Sequence, residues 1–372
     1  MKTSNPKCKT SSNQLGQLRD FSLVMATIMA VTATLNTSAA QGQATVFPGG
    51  YKVSQPYSSG NLSLFLIKGV DKTKNKQYLT LPEAIAKKQV VVHETGDVNV
   101  LKIDNLSNAA VFIQSGEIVK GGRQDRALQS DMLIPPRTQN LSLPCFCVEH
   151  GRWSQRVGES STNFESANNF VVGNSINKAI KQIGDQGAVW EGVLEKQGQL
   201  SQKLTKPVAS TVSPSSLQLT LEQKNVKDAT EAQYKALADT VNKEKDAIGY
   251  AVAINGKINN ADVYGSGALF RKLWPGLLRA AVTEAAAQRG QAAKKLPTGE
   301  NVQRVLAGAE HFKRVSLQGA TNGTIGPQVQ DATVITGLNT AGIVRAASPL
   351  EYFSQTNDSK SGAMIHQNFF GQ

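Results

Sequence analysis

The chain has 372 residues, 40% of them hydrophobic and 18% charged, which is enough apolar material for one large core or two modest ones and excludes wholesale disorder. Gly at 32 and Pro at 13 follow ordinary usage without a Gly-X-Y or heptad period, so collagen, coiled-coil and low-complexity architectures drop out. The formal charge is +12, but Lys and Arg are scattered among Asp and Glu and no basic run is interleaved with aromatics, so nucleic acid is not an expected partner.

Residues 1–40 read as a secretory leader. Lys2, Lys7, Lys9 and Arg19 open it, Phe21 to Leu35 is apolar with Ser and Thr, and Ser38-Ala39-Ala40 supplies a small-residue cleavage site. A second cut is available after Ala44. The apolar stretch is shorter than the roughly 20 residues a membrane span needs, and no Cys follows either cut to carry a lipid. The expectation is a periplasmic or extracellular protein without a stable membrane anchor. Cleavage after Ala40 would remove four Lys/Arg and one Asp, leave a formal charge of +9 and keep only Cys145 and Cys147. Two cysteines exclude a disulfide scaffold.

From 46 to about 150 the pattern is strands: Leu62 to Val70, Gln89 to His93, Val98 to Ile103, Ala109 to Ile113 and Leu141 to His150, punctuated by Gly, Asn and Asp. Thr80-Leu81-Pro82-Glu83 is a capping box, so a short helix is expected from Leu81 to Lys87. Ile176, Ala179, Ile180 and Ile183 recur at helical spacing, and Val189, Trp190, Val193 and Leu194 continue a second helical face past Gly184. A Ser/Thr/Pro-rich loop spans 201–218, and an amphipathic helix follows from Asp228 to Asp246. Asn255-Gly256 marks a two-residue hairpin between Gly249 to Ile254 and Lys257 to Tyr264. A helix from Ser266 to about Arg289 comes next, with Pro275 as an expected kink. Ala332 to Ile335 and Gly342 to Ala346 are strand-like, and 355–372 is polar enough to be expected as a poorly ordered tail. The fold class is therefore α+β: an antiparallel, sandwich-like N-terminal half, with helices from the C-terminal half packed on it and one domain over 46–354.

Two strings carry chemistry. In the first, the strand Gly116-Glu117-Ile118-Val119-Lys120 runs into Gly121-Gly122-Arg123-Gln124-Asp125-Arg126. Paired glycines can turn backbone N–H groups to one side, and guanidiniums beside them suit a carboxylate or phosphate. The competing reading is that Arg123 and Arg126 pair with Asp125, Glu117 or Glu149 and only fix the turn. The second string is Cys145-Phe146-Cys147-Val148-Glu149-His150-Gly151-Arg152-Trp153. Strand alternation puts Cys145, Cys147 and Glu149 on one face and Phe146, Val148 and His150 on the other. No Cys or His at conventional spacing completes a zinc site, so no metal and no cofactor is expected. Cys-x-Cys is too tight for a bridge, which leaves two small core residues or two reactive thiols. Glu117 and Glu149 are candidate general bases if the strands bring them together.

Read in order, Leu79 to Ala84, Val90 to Glu94, Gly121 to Arg126, Val148 to Trp153, Gln186 to Trp190, Ile254 to Lys257 and Leu269 to Trp274 resemble the ARPP-1 family, the ADP-ribosylglycohydrolase and rhodanese-phosphatase associated protein domain. The resemblance covers about 55 to 350, and the stretch after about 318 departs from it. It implies a strand-rich domain followed by helices, and names no reaction. The positions matching its polar signature are Gly121, Gly122, Gln124, Arg126, Glu149, Gly151, Arg152 and Trp153.

Together these expectations describe a pocket where 121–126 meets 149–153. Its ligand would be an anionic small molecule or a protein partner, bound by Gly121, Gly122, Arg123, Gln124, Asp125, Arg126 and Arg152 with Trp153 as a stacking wall. The alternatives are a hydrolase of a phosphate- or sugar-containing substrate using Glu117 or Glu149, and a structural envelope protein in which the same residues are an internal network.

Overall fold

The computed structural model describes residues 50–73, 76–290, 295–307, 332–338, 350–358 and 361–371. The leader expected over 1–40 and the strand expected at Gly342 to Ala346 lie outside them.

The architecture is α+β, and its N-terminal antiparallel strands close on themselves. Thr138–Cys147, Val100–Asn105, Val90–His93, Asn163–Val171, Glu117–Gly121 and Arg126–Leu128 form a six-stranded barrel. Closure removes both edges, so the strands need no covering sheet. Along Thr138–Cys147 the alternation holds: Cys145 joins the cluster with Val92, Leu101 and Leu143, whereas Phe146 packs with Ile118, Ile176 and Val189. A small sheet of Met132–Ile134, Val111–Ile113 and Leu79–Thr80 adjoins it. Thr80 caps the helix Leu81–Ala86 through the full capping box.

The second sheet has eight strands. Its order is Lys52–Val53, Leu62–Lys68, Ala247–Ile254, Lys257–Tyr264, Met364–Gly371, Leu350–Asp358 and Ala332–Leu338, with Tyr57–Ser59 also paired to Leu62–Lys68. Its central strands read as nearly unbroken apolar runs because both faces are covered. Leu64, Leu66, Tyr250 and Val252 meet Phe270, Trp274 and Leu277 of the long helix Gly267–Ala287. Phe65, Ile67, Ala251 and Ala253 meet Val302, Val305 and Leu306 of the helix over 299–307. The Asn255-Gly256 turn takes φ of 49° and 79°, the left-handed pair a tight hairpin demands. Ser266 caps the long helix, and Pro275 is accommodated inside it.

One expectation fails. Residues 361–371 are not a loose tail: Met364–Gly371 pairs with strands on both sides and all eight of its residues are buried. His366, Gln367 and Asn368 made the segment look solvent-loving, but their polar groups are consumed by other buried side chains. The second helical region also divides, into Asn174–Lys178 with a wide turn Ala179–Ile183, then Gln186–Leu204, and the expected helix Asp228 to Asp246 is observed as Lys224–Ala238 and Thr240–Lys243.

Candidate functional site

The two polar strings do converge. Arg152 grips Glu149 with two bonds, Nε to Oε1 at 2.7 Å and Nη2 to Oε2 at 2.7 Å, and its Nη1 reaches the carbonyl of Gly122 at 3.2 Å. Asp125 receives Arg156 in the same forked manner, at 2.6 and 2.9 Å, and Ser216 Oγ at 2.9 Å. Arg156 also binds Glu159 at 2.9 Å, and Ser213 Oγ bonds Glu149. Burial pushes the Glu149 carboxyl upward, yet Arg152, Ser213 and the Asp125 N–H outweigh it and hold the group below its usual range.

Most polar groups of this convergence bond one another. Gly121 (φ 121°) and Gly122 (φ 52°) do adopt the left-handed region, but the first gives its N–H to Asp125 at 3.3 Å and the second to Ser160 O at 3.0 Å. The N–H groups of Arg123 and Asp125 go to Glu94 and Glu149. These four N–H groups, three on carboxylates and one on a carbonyl, are not free for an anion. Gln124 spans Glu149 O and Cys147 Sγ. Arg126 is fully buried, and its Nη2 stands 3.9 Å from Glu94. Arg123 alone of the three expected donors is exposed, its guanidinium 5.3 Å from the ring centroid of a 44% exposed Trp153. Gln124, Asp125, Glu149 and Arg152 are thus bonded to other groups of the protein, whereas Arg126 bonds Gln124 O through Nη1 and leaves Nε and Nη2 without hydrogen bonds. Arg156, Ser213 and Ser216, which complete these bonds, lie in stretches with no sequence signal beyond loop composition.

Glu117 belongs to a different cluster. It is buried, accepts the Gln114 N–H at 3.0 Å and faces Asp131, so burial and that neighbouring charge push its carboxyl up to about 8. Its partners and those of Glu149 do not overlap, so the two acids are not an acid–base pair. Cys145 and Cys147 are free thiols that burial pushes up to about 12 and 11, which makes them core residues rather than nucleophiles. Among the described residues no group of three His, Cys, Asp or Glu side chains is placed to hold a metal ion.

A cleft opens elsewhere, at the seam between barrel and large sheet. It is small, with about 30 Å³ of room and a mouth open to solvent, and is lined by carboxamides (Gln114, Asn174, Asn177, Asn259, Asn260 and Asn368), with Tyr250, Asp262 and Glu284. Asp262 organises its wall. Its oxygens take Asn368 at 2.6 Å, Asn260 at 3.0 Å, His366 Nε2 at 3.0 Å and the Tyr250 hydroxyl. His366 Nδ1 continues to Asp131 at 2.8 Å. Burial alone would pull the His366 imidazole down, but the two flanking carboxylates raise it, and Asp131 is held well below the usual carboxylate range. The result is a histidine bonded through both ring nitrogens to Asp131 and Asp262, and Asp262 in turn holds the Asn260 and Asn368 amides in place.

Two oxygens in the cleft have no partner. Glu284 gives Oε1 to Lys196 at 2.9 Å while its Oε2 is buried and unbonded, and Asn174 spends its NH2 on Asn259 O at 3.1 Å, leaving Oδ1 free. Lys196 and Glu284 are both almost wholly buried. The cleft wall has no Lys, Arg or His of its own. Sequence reading overlooked it because Asn174, Asp262, Glu284 and Asn368 sit in four separate elements.

Comparison with curated proteins and with solved structures gives no match. The family comparison does: residues 50–343 match ARPP-1, described as the ARG and Rhodanese-Phosphatase-superfamily-associated Protein domain. That span takes in the barrel, the helices between the sheets and five strands of the large sheet through Lys257–Tyr264, so the expected resemblance holds and extends past 318. The chain belongs to the ARPP-1 family.

Proposed function

We propose that the protein is a binding domain for a small molecule rich in hydrogen-bond donors, hydroxylated or amine-bearing, seated in the carboxamide-lined cleft, and that the leader directs it to the periplasm or the exterior. The carrying observation is the pair of buried acceptors without partners, Glu284 Oε2 and Asn174 Oδ1, at a cleft whose wall carries no cationic side chain. A buried acceptor left unmet costs about 1–3 kcal/mol, which a donor-bearing ligand recovers on binding. An anion would meet the Asp262 and Glu284 carboxylates with no cationic side chain on the wall to offset them.

The test is a thermal-shift screen of polyols, amino polyols and amines against phosphates, nucleotides and small carboxylates. Donor-rich neutral and cationic compounds should raise Tm, and Asn174→Leu should weaken them by about tenfold. A screen in which only anions stabilise would refute the cleft and move the ligand to the exposed Arg123 and Trp153.

A further inference from the structure

The size of the cleft decides how much of a ligand it can enclose. About 30 Å³ is open among the carboxamides. One water needs about 10–15 Å³ of such space, so the wall closes over roughly two or three heavy atoms and the rest of a ligand stays in the mouth. A single buried group therefore selects the ligand, and the open oxygens define its chemistry. Glu284 is 2% exposed and loaded on one side only: Oε1 takes Lys196 Nζ at 2.9 Å and Gln288 Nε2 at 2.7 Å, and Oε2 takes nothing. Oε2 lies so close to Gly173 that a Cβ there would clash with it, and Asn174 follows directly in the chain. The Asn174 NH2 is held on Asn259 O at 3.1 Å, so its unpartnered atom is the oxygen. Asp262, the other carboxylate of the wall, is already occupied by Asn260, His366 and Asn368.

We infer that the cleft is a site for a primary ammonium: the NH3+ group of a small amine enters with its first carbon and donates to Glu284 Oε2 and Asn174 Oδ1, while its third N–H faces water in the mouth. This rests on the cleft reading above and narrows its ligand class from donor-rich molecules in general to primary amines. An ammonium has three donors and no acceptor, which suits a wall with two open acceptors and no cationic side chain. Its bond to a buried carboxylate is charge-assisted on both sides, so it is stronger than the bond a hydroxyl makes to the same oxygen. Lys196 already bonds the opposite oxygen of Glu284 and does not line this cleft, so a second ammonium displaces nothing.

The probes are the chlorides of methylammonium, ethanolamine, tetramethylammonium and potassium, with sorbitol as the uncharged donor, titrated calorimetrically into the full-length protein. Methylammonium and ethanolamine should bind at least about tenfold more tightly than tetramethylammonium or potassium, which bring charge without N–H groups. Equal binding of all four cations would reduce the effect to charge attraction and overturn the inference. Binding of sorbitol without methylammonium overturns the ammonium site and leaves the cleft reading in place, and binding of none of the five overturns both. Glu284→Gln keeps the side-chain shape and an oxygen for Lys196, and should weaken methylammonium by about tenfold or more. Gly173→Ala gives a second reading without touching a charge, because φ of −65° and ψ of 165° suit alanine and the new methyl displaces only the end of the Glu284 side chain. It should remove the preference for methylammonium over tetramethylammonium, with Tm confirming that the variant is folded. Retention of the full preference would mean that the amine does not sit on Glu284, and the inference falls.

Discussion

Glu117 is the most quantitative handle on this fold. Its ordinary carboxyl value is 4.5 and burial beside Asp131 pushes it up to about 8, so between those values the folded chain holds a proton that the unfolded chain has released. Stability from this group is complete below pH 4.5 and falls as pH rises, levelling off above about 8. At pH 7 the deficit is about 3 kcal/mol, from 2.5 pH units at about 1.4 kcal/mol each. Glu117→Gln keeps an oxygen for the Gln114 N–H and removes the titration. Urea denaturation of both proteins at pH 5, 6, 7 and 8 should show the variant gaining on the wild type by roughly 1 kcal/mol per pH unit, a slope that survives any constant offset from the new amide. His366 also loses stabilisation as pH rises through its raised value, but both proteins carry it. A stability difference that stays flat from pH 5 to 8 would show that the Glu117 carboxyl is not raised and that the burial argument is wrong.

Arg156→Ala should destabilise the chain by about 3 kcal/mol in urea, since it takes the forked partner from buried Asp125 and leaves it only Arg152, at 3.7 Å, as counter-charge, whereas Arg123→Ala at the exposed turn should stay within about 0.5 kcal/mol. Cys145 and Cys147 should resist iodoacetamide at pH 8 in the folded protein and react at once in 6 M guanidinium chloride, with labelling of the native chain marking an opening of the barrel.

Local chemistry was legible in the sequence and long-range pairing was not. The Thr80 capping box and the Asn255-Gly256 hairpin act over two to four residues, and each occurs as read, as does a helix starting at Ser266. Cys145 and Phe146 face opposite ways because strand alternation is equally local. Asn163–Val171 and Met364–Gly371 escaped because their polar residues mimic loop composition, and only pairing with distant strands makes them sheet. Asp131 meets His366 across 235 residues and Asp262 meets it across 104, separations at which no spacing rule operates. Convergence of 121–126 with 149–153 was readable from residue type. That Arg152 would be closed on Glu149, and that Arg156 would close on Asp125, required the loop beyond Trp153 to be in place.

The two polar clusters separate by counting partners rather than charges. Around Asp125 and Glu149 the carboxylate oxygens and the neighbouring turn amides are matched by Arg152, Arg156, Ser213, Ser216 and one another, so the energy of the cluster is spent on holding 121–126 against 149–159. In the seam, the Asp131–His366–Asp262 chain is equally complete, and it immobilises the Asn260 and Asn368 amides before any ligand arrives. Against that rigid wall Glu284 Oε2 and Asn174 Oδ1 are left open. Arg126 also keeps unbonded nitrogens, but it does not line the cleft, so no solute reaches them there. A bound molecule gains free energy only where the protein alone cannot satisfy its own groups and space adjoins them, and the wall at Glu284 and Asn174 meets both conditions.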